Sequence, residues 1–180
     1  RPPVRFCRRL RLRTPDSPAV FLARPAEKDN ERLKGVSRMR SLDILLEIGN
    51  IEMEQEKKEE LATRKNDHYR SFITQMKPDE ILPGATEFIK ELKENNIKIA
   101  LGSAKVSKAK PDPEVFLKGA EELNVLPGEC VVFEDAEAGV EAALAGGMKC
   151  VGIGTPDILG KAHLVVSGLH EMNFDKLSKL

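Results

Sequence analysis

The stretch from Glu129 to Gly154 constrains this chain more than any other. An apolar run, Cys130-Val131-Val132-Phe133, ends in two adjacent acids, Glu134 and Asp135. A small-residue segment with helical spacing follows, then Gly146-Gly147, then a second apolar run from Cys150 to Ile153. Short apolar runs separated by a helix read as a βαβ unit with both strands buried. Ligands of such units sit at the carboxyl ends of the strands, which is where Glu134 and Asp135 fall. Two carboxylates there can hold a hard cation such as Mg²⁺, which takes one or two carboxylates together with phosphate oxygens of a substrate. The same acids also suit a plainer role, with Asp135 capping the next helix and Glu134 solvated.

The bulk properties narrow the field. A chain of 180 residues holds one domain of ordinary size, or a domain with a small insert. Aromatic residues make up 4% of it against 41% hydrophobic, so the core is expected to be aliphatic. Lys and Arg number 29, as do Asp and Glu, which gives no bias toward nucleic acid or membrane surfaces. No apolar run is long enough to span a bilayer. Cys7, Cys130 and Cys150 match no metal-binding spacing, and the last two fall in expected core strands, where a free thiol behaves as a small apolar residue. That usage fits a reducing, cytoplasmic compartment. A monomer is expected.

Residues 1–30 differ from the rest. Arg1, Arg5, Arg8, Arg9, Arg11 and Arg13 precede any acid, prolines recur up to Pro25, and no lysine appears before Lys28. The segment reads as foreign to the domain, as an Arg-rich transit peptide, or as a basic nucleic-acid arm. Disorder is expected in each case. Residues 31–80 read as a small helical domain. Leu42, Leu45, Leu46 and Gly49 form one stripe, and Tyr69, Phe72, Ile73 and Met76 have the spacing of an amphipathic helix face. Residues 81–180 read as an α/β domain. A helix carries Ala85, Phe88, Ile89 and Leu92 inward, and a strand from Ile97 to Leu101 ends in Gly102-Ser103-Ala104. A small hydroxyl residue in such a turn can donate to a phosphate oxygen. Lys110-Pro111-Asp112-Pro113 follows closely, with Asp112 suited to cap a helix, Pro113 to open it, and Phe116, Ala120 and Leu123 to form that helix's inner face. A last strand, Ala162 to Val166, and a short terminal helix close the chain.

Each signal alone is matched by an ordinary turn serine, surface lysine or solvated acid. In this order they assemble a hydroxyl and an ammonium for phosphate beside two acids for Mg²⁺, the equipment of phosphoryl transfer. The sequence resembles the haloacid dehalogenase superfamily, and within it the β-phosphoglucomutase-like branch, from about Asp29 to the C-terminus. The residues that carry the resemblance are Gly102-Ser103-Ala104, Lys110 in KAKPDPEVF, Glu134-Asp135 in FEDAEAG, and the segments LKGVSR and RKNDHY. It implies a Rossmann-like parallel sheet core with a small α-helical cap. It further implies that Ser103, Ala104 and Lys110 bind the transferring phosphoryl group and that Glu134 and Asp135 ligate Mg²⁺. Arg38 contacts phosphate in that scheme, with Lys34, Lys65 and Asn66 near a small phosphorylated sugar. The implied reaction converts β-glucose 1-phosphate to glucose 6-phosphate through a phospho-aspartyl enzyme.

The chain departs from the family pattern in two places. No DxDG-like strand end, which supplies the nucleophilic aspartate, occurs before the helical segment, so no catalytic residue is identified. Between Ala104 and Lys110 only Lys105 to Ala109 remains, where the family has a helix and a strand. A parallel crossover takes about a dozen residues or more, so the core is expected to be incomplete. The expectation is therefore a mutase-type chain with impaired or absent turnover. A sugar-phosphate phosphatase and a non-catalytic phosphosugar-binding protein are the alternatives.

Overall fold

Ser37 starts the first helix, α1 (Arg38–Gly49), by accepting the backbone N–H of Arg40 on its hydroxyl at 3.2 Å. Asn50 ends it in the left-handed conformation that Asn adopts readily. In this computed structural model, which describes residues 32–102 and 106–180, α1 belongs to a helical unit containing Ser37–His68. The expectations for residues 1–30, Ser103 and Ala104 lie outside the described residues. Helix α2 (Gln55–Ile73) contributes to that unit as far as His68. Leu42, Leu46 and Ala62 form its buried core, and Lys58 pairs with Asp43 at 2.8 Å. Ile44 is buried too, although it lies off the expected stripe.

The second unit comprises Lys34–Val36 and Tyr69–Leu180. Its elements are α3 (Ala85–Glu94), α4 (Glu114–Leu123), β1 (Val131–Glu134), α5 (Glu137–Ala145), β2 (Lys149–Ile153), α6 (Pro156–Leu159), β3 (Leu164–Val166) and α7 (Phe174–Ser178). The strands are parallel in the order β1-β2-β3, with Val132 opposite Cys150 and Gly152 opposite Val165. Successive residues of a strand point to opposite faces, and this sheet uses both. Cys150 packs among Val115, Phe116, Ala120, Val140 and Leu159 from α4, α5 and α6. Val151, its neighbour, packs among Phe88, Leu92, Val166 and Met172 on the other face. Phe88 meets Phe133 edge to face at 5.5 Å. The fold is α/β with a parallel sheet between helices, as expected for strands that read as continuous apolar runs.

Three expectations fail, the simplest being Ile89, which is 41% exposed rather than turned inward from α3. Residues 97–101 form no strand, and Leu101 is 88% exposed. The reason is non-local: a strand exists only through its ladder, and β1 pairs with β2 alone among the described residues. Residues 106–109 form no strand either; Ser107 and Lys108 make a bend. The face of Tyr69, Phe72, Ile73 and Met76 is likewise exposed, and Ala62 is the buried residue of α2. Periodicity identified that helix but did not ensure cover for its C-terminal half. Because Leu101 is exposed, Leu101→Asn is expected to change the unfolding free energy, measured by urea titration, by less than about 0.5 kcal/mol. A leucine in a buried strand would cost roughly 2–5 kcal/mol on truncation, and a loss of that size would restore the strand reading.

Candidate functional site

The site is built at the carboxyl end of β1 and the start of α4. Asp112 accepts the backbone N–H of Glu114 at 3.0 Å in a turn ahead of α4, but the cap position is Pro113, which makes no side-chain cap, so the expectation of Asp112 as the cap and Pro113 as the first helical residue is off by one position. Just before this turn stands Lys110, whose bond to Pro111 is cis. Its ammonium donates to the carboxylate of Glu134, the last residue of β1. The side chains of the pair are 18% and 9% exposed. Lys110 Nζ also lies 4.8 Å from the centroid of the Phe116 ring.

Glu134 is boxed in from the helix side as well. A Cβ at Gly139, in the first turns of α5, would stand 2.2 Å from the Glu134 carboxyl carbon. No side chain fits there unless the carboxylate moves. Gly139 is the glycine of the FEDAEAG segment, and this close approach is its physical role. Asp135 differs from its neighbour. It is exposed, and α5 is not capped by it; the cap position is Ala136, with no side-chain hydrogen bond. The plain reading of Asp135 as a helix cap therefore fails, as does that of Glu134 as a solvated acid. Gly35, at φ +69°, brings the 34–36 loop against this corner: a Cβ there would be 3.1 Å from the Ala136 side chain.

The other expected residues are placed less closely. Lys34 and Arg38 are exposed. Lys65 donates to Ser41 Oγ at 3.4 Å within the helical unit, and Asn66 is half-buried. Sequence reasoning missed Phe116 and the reason for Gly139. Their signals were present as the aromatic residue six positions after Lys110 and the glycine five positions after Glu134.

Cys150 lies deep in the α/β core, and its thiol is pushed up to about 11, foremost by burial and then by the negative charge of Glu134, with Lys110 opposing. A raised thiol pKa means that the folded chain holds its proton more tightly than the unfolded chain. The resulting stability is fully present below the unfolded thiol's pKa and is lost as pH rises through the folded value. Unfolding free energy is thus expected to fall from about pH 9 to 11 more steeply in the natural chain than in Cys150→Ala, checked by urea titrations at stepped pH. Equal slopes would refute the assignment.

The donor set bears on a cation. Among the described residues no three potential ligands cluster, so no all-protein cage is available. Glu134 is committed to Lys110, which leaves Asp135 as an exposed carboxylate at the strand end. That suits Mg²⁺, which keeps several waters and relies on one or two carboxylates with substrate phosphates. It does not suit structural zinc, which takes four protein ligands.

Known proteins agree with this architecture. A family model described as haloacid dehalogenase-like hydrolase matches residues 14–147, starting ahead of Asp29, where the resemblance was expected to begin. The β-phosphoglucomutase of Bacillus subtilis strain 168 is 36% identical, over 85% of this chain and 80% of that protein. A crystal structure of β-phosphoglucomutase from Clostridium difficile is 37% identical, with a TM-score of 0.79 over 86% of this chain and 81% of that one. A phosphorylated carbohydrates phosphatase of Thermotoga maritima is 28% identical, over 73% of this chain and 71% of that protein. No helix among the described residues is long and apolar enough to cross a membrane. The chain belongs to the haloacid dehalogenase-like hydrolase family and, within it, resembles the β-phosphoglucomutases most extensively among these relatives.

Proposed function

We propose that this chain handles a small phosphorylated sugar of the β-glucose 1-phosphate class, in the manner of a β-phosphoglucomutase. The observation that carries the reading is the Lys110–Glu134 pair, held beside the exposed Asp135 at the carboxyl end of β1. An ammonium has three donors. Glu134 takes one and fixes the direction of the others, so Lys110 meets phosphoryl oxygens preoriented. Asp135 would hold Mg²⁺, with Glu134 beside it. The cation, when bound, would offset phosphate charge. Ser103 and the backbone at Ala104 would donate to the same phosphoryl group. Lys34, Arg38, Lys65 and Asn66 are assigned to the sugar phosphate by the resemblance.

Mutase chemistry needs a carboxylate nucleophile, and these 180 residues contain no DxDG-like segment. The reading is therefore binding without a complete mutase cycle. Phosphate ester hydrolysis is the second reading, favoured by the similarity to a phosphatase from Thermotoga maritima. Calorimetric titration with β-glucose 1-phosphate and Mg²⁺ tests the binding. Charged hydrogen bonds contribute about 1.5–3 kcal/mol, so Lys110→Met is expected to weaken binding by roughly 10- to 100-fold. Equal affinity in a folded Lys110→Met variant would refute the assignment of Lys110. Release of free phosphate during the titration would favour the phosphatase reading.

A further inference from the structure

Phe116 reads from the sequence as a core residue of α4, and it is one: it is 8% exposed and belongs to the cluster around Cys150 and Val140. Its ring has two further neighbours, which lie outside that cluster. On one side is the Lys110 ammonium, 4.8 Å from the ring centroid. On another is the backbone of Gly102, where a Cβ would stand 2.8 Å from Cε1 and 3.2 Å from Cδ1. An ordinary core phenylalanine needs neither contact. The ring thus touches both segments that carry the phosphate-binding expectations, the Gly102 turn and the Lys110 loop.

We propose that Phe116 is a positioning residue of the phosphate site: its ring steadies the Lys110 ammonium and sets the spacing between Lys110 and the Gly102 turn. The inference rests on the reading that Lys110 binds the phosphoryl group. The physical basis is the negative face of the aromatic ring, which attracts a cation within about 6 Å of its centroid. A ring face takes up one side of the ammonium without consuming a strong hydrogen bond. With Glu134 on another side, the remaining donors are left for a ligand. The gain is specific to a cation over a ring, so leucine at this position would retain the packing and lose the effect.

Two readouts test the proposal on the full 180-residue chain. In the natural chain, ring currents should shift the Lys110 ε-methylene protons upfield of the other lysines in NMR spectra, a signature that needs no variant. An unshifted resonance would overturn the proposal. The second readout is affinity for inorganic phosphate in a double-mutant cycle of Phe116→Leu and Lys110→Met. Phe116→Leu is expected to weaken phosphate binding by about 2- to 30-fold when Lys110 is present and to leave it unchanged in the Lys110→Met background. An equal loss in both backgrounds, or none in either, would overturn the positioning role while leaving Lys110 as the phosphate ligand. Phosphate binding unaffected by Lys110→Met would instead overturn the assignment of Lys110, and the positioning role with it. If Phe116→Leu does not fold, Gly102→Ala supplies the second variant. Its methyl would press on the ring at Cε1 and Cδ1 and should abolish the upfield shift, and a retained shift would overturn the proposed spacing.

Discussion

Glu134→Ala is expected to destabilise the α/β unit by about 3 kcal/mol, the lower end for breaking a buried ion pair. The loss comes less from the missing attraction than from a lysine left largely buried without its partner. Lys110 keeps 18% of its side-chain surface in solvent, which holds the cost to that lower end. Gly139→Ala provides the sharper form of the same test. Inside a helix, exchanging glycine for alanine ordinarily stabilises by about 1 kcal/mol. Here the new methyl would stand 2.2 Å from the Glu134 carboxyl carbon and displace the carboxylate from Lys110. The sign should therefore reverse, with a loss of at least about 1 kcal/mol although no charge is removed. Urea unfolding followed by circular dichroism measures both. A stabilising Gly139→Ala would show that Glu134 does not occupy the described position.

The second large effect concerns turnover. A nucleophile that works together with its neighbours is worth on the order of a million-fold in rate. The chain has acids suited to a cation and a lysine suited to phosphate, but no DxDG-like strand end. Glucose 6-phosphate formation is thus expected to fall roughly a million-fold below that of a mutase with the complete set, while phosphosugar binding persists. Binding and turnover should separate because they draw on different residues. On the proposed reading Lys110 and Asp135 would serve ground-state and transition-state charge alike, whereas a phospho-enzyme requires a carboxylate in line with the phosphoryl group.

The parts of the fold that were legible in the sequence are those set by local pattern. The apolar runs Cys130–Phe133 and Cys150–Ile153 lie in or beside the strands Val131–Glu134 and Lys149–Ile153, and the small-residue segment between them is α5. The acid pair was legible as a strand-end feature, but its division was not. Glu134, the last residue of β1, turns inward to Lys110, whereas Asp135, in the bend that follows the strand, is exposed. What failed depended on partners distant in the chain. Ile97, Ile99 and Leu101 have strand-like alternation but lack a neighbouring strand to pair with among the described residues. Phe116 looked like core alone, because contact between its ring, Lys110 and Gly102 arises only once α4 is packed on the sheet.

The most direct measurement is a discontinuous assay of the 180-residue chain on β-glucose 1-phosphate, with Mg²⁺ and a bisphosphate primer, read as glucose 6-phosphate and run beside Asp135→Ala. Binding of the sugar phosphate with no product above that variant is the predicted result. Glucose 6-phosphate formed above the Asp135→Ala level would contradict it and would mean that another carboxylate of this chain serves as the nucleophile.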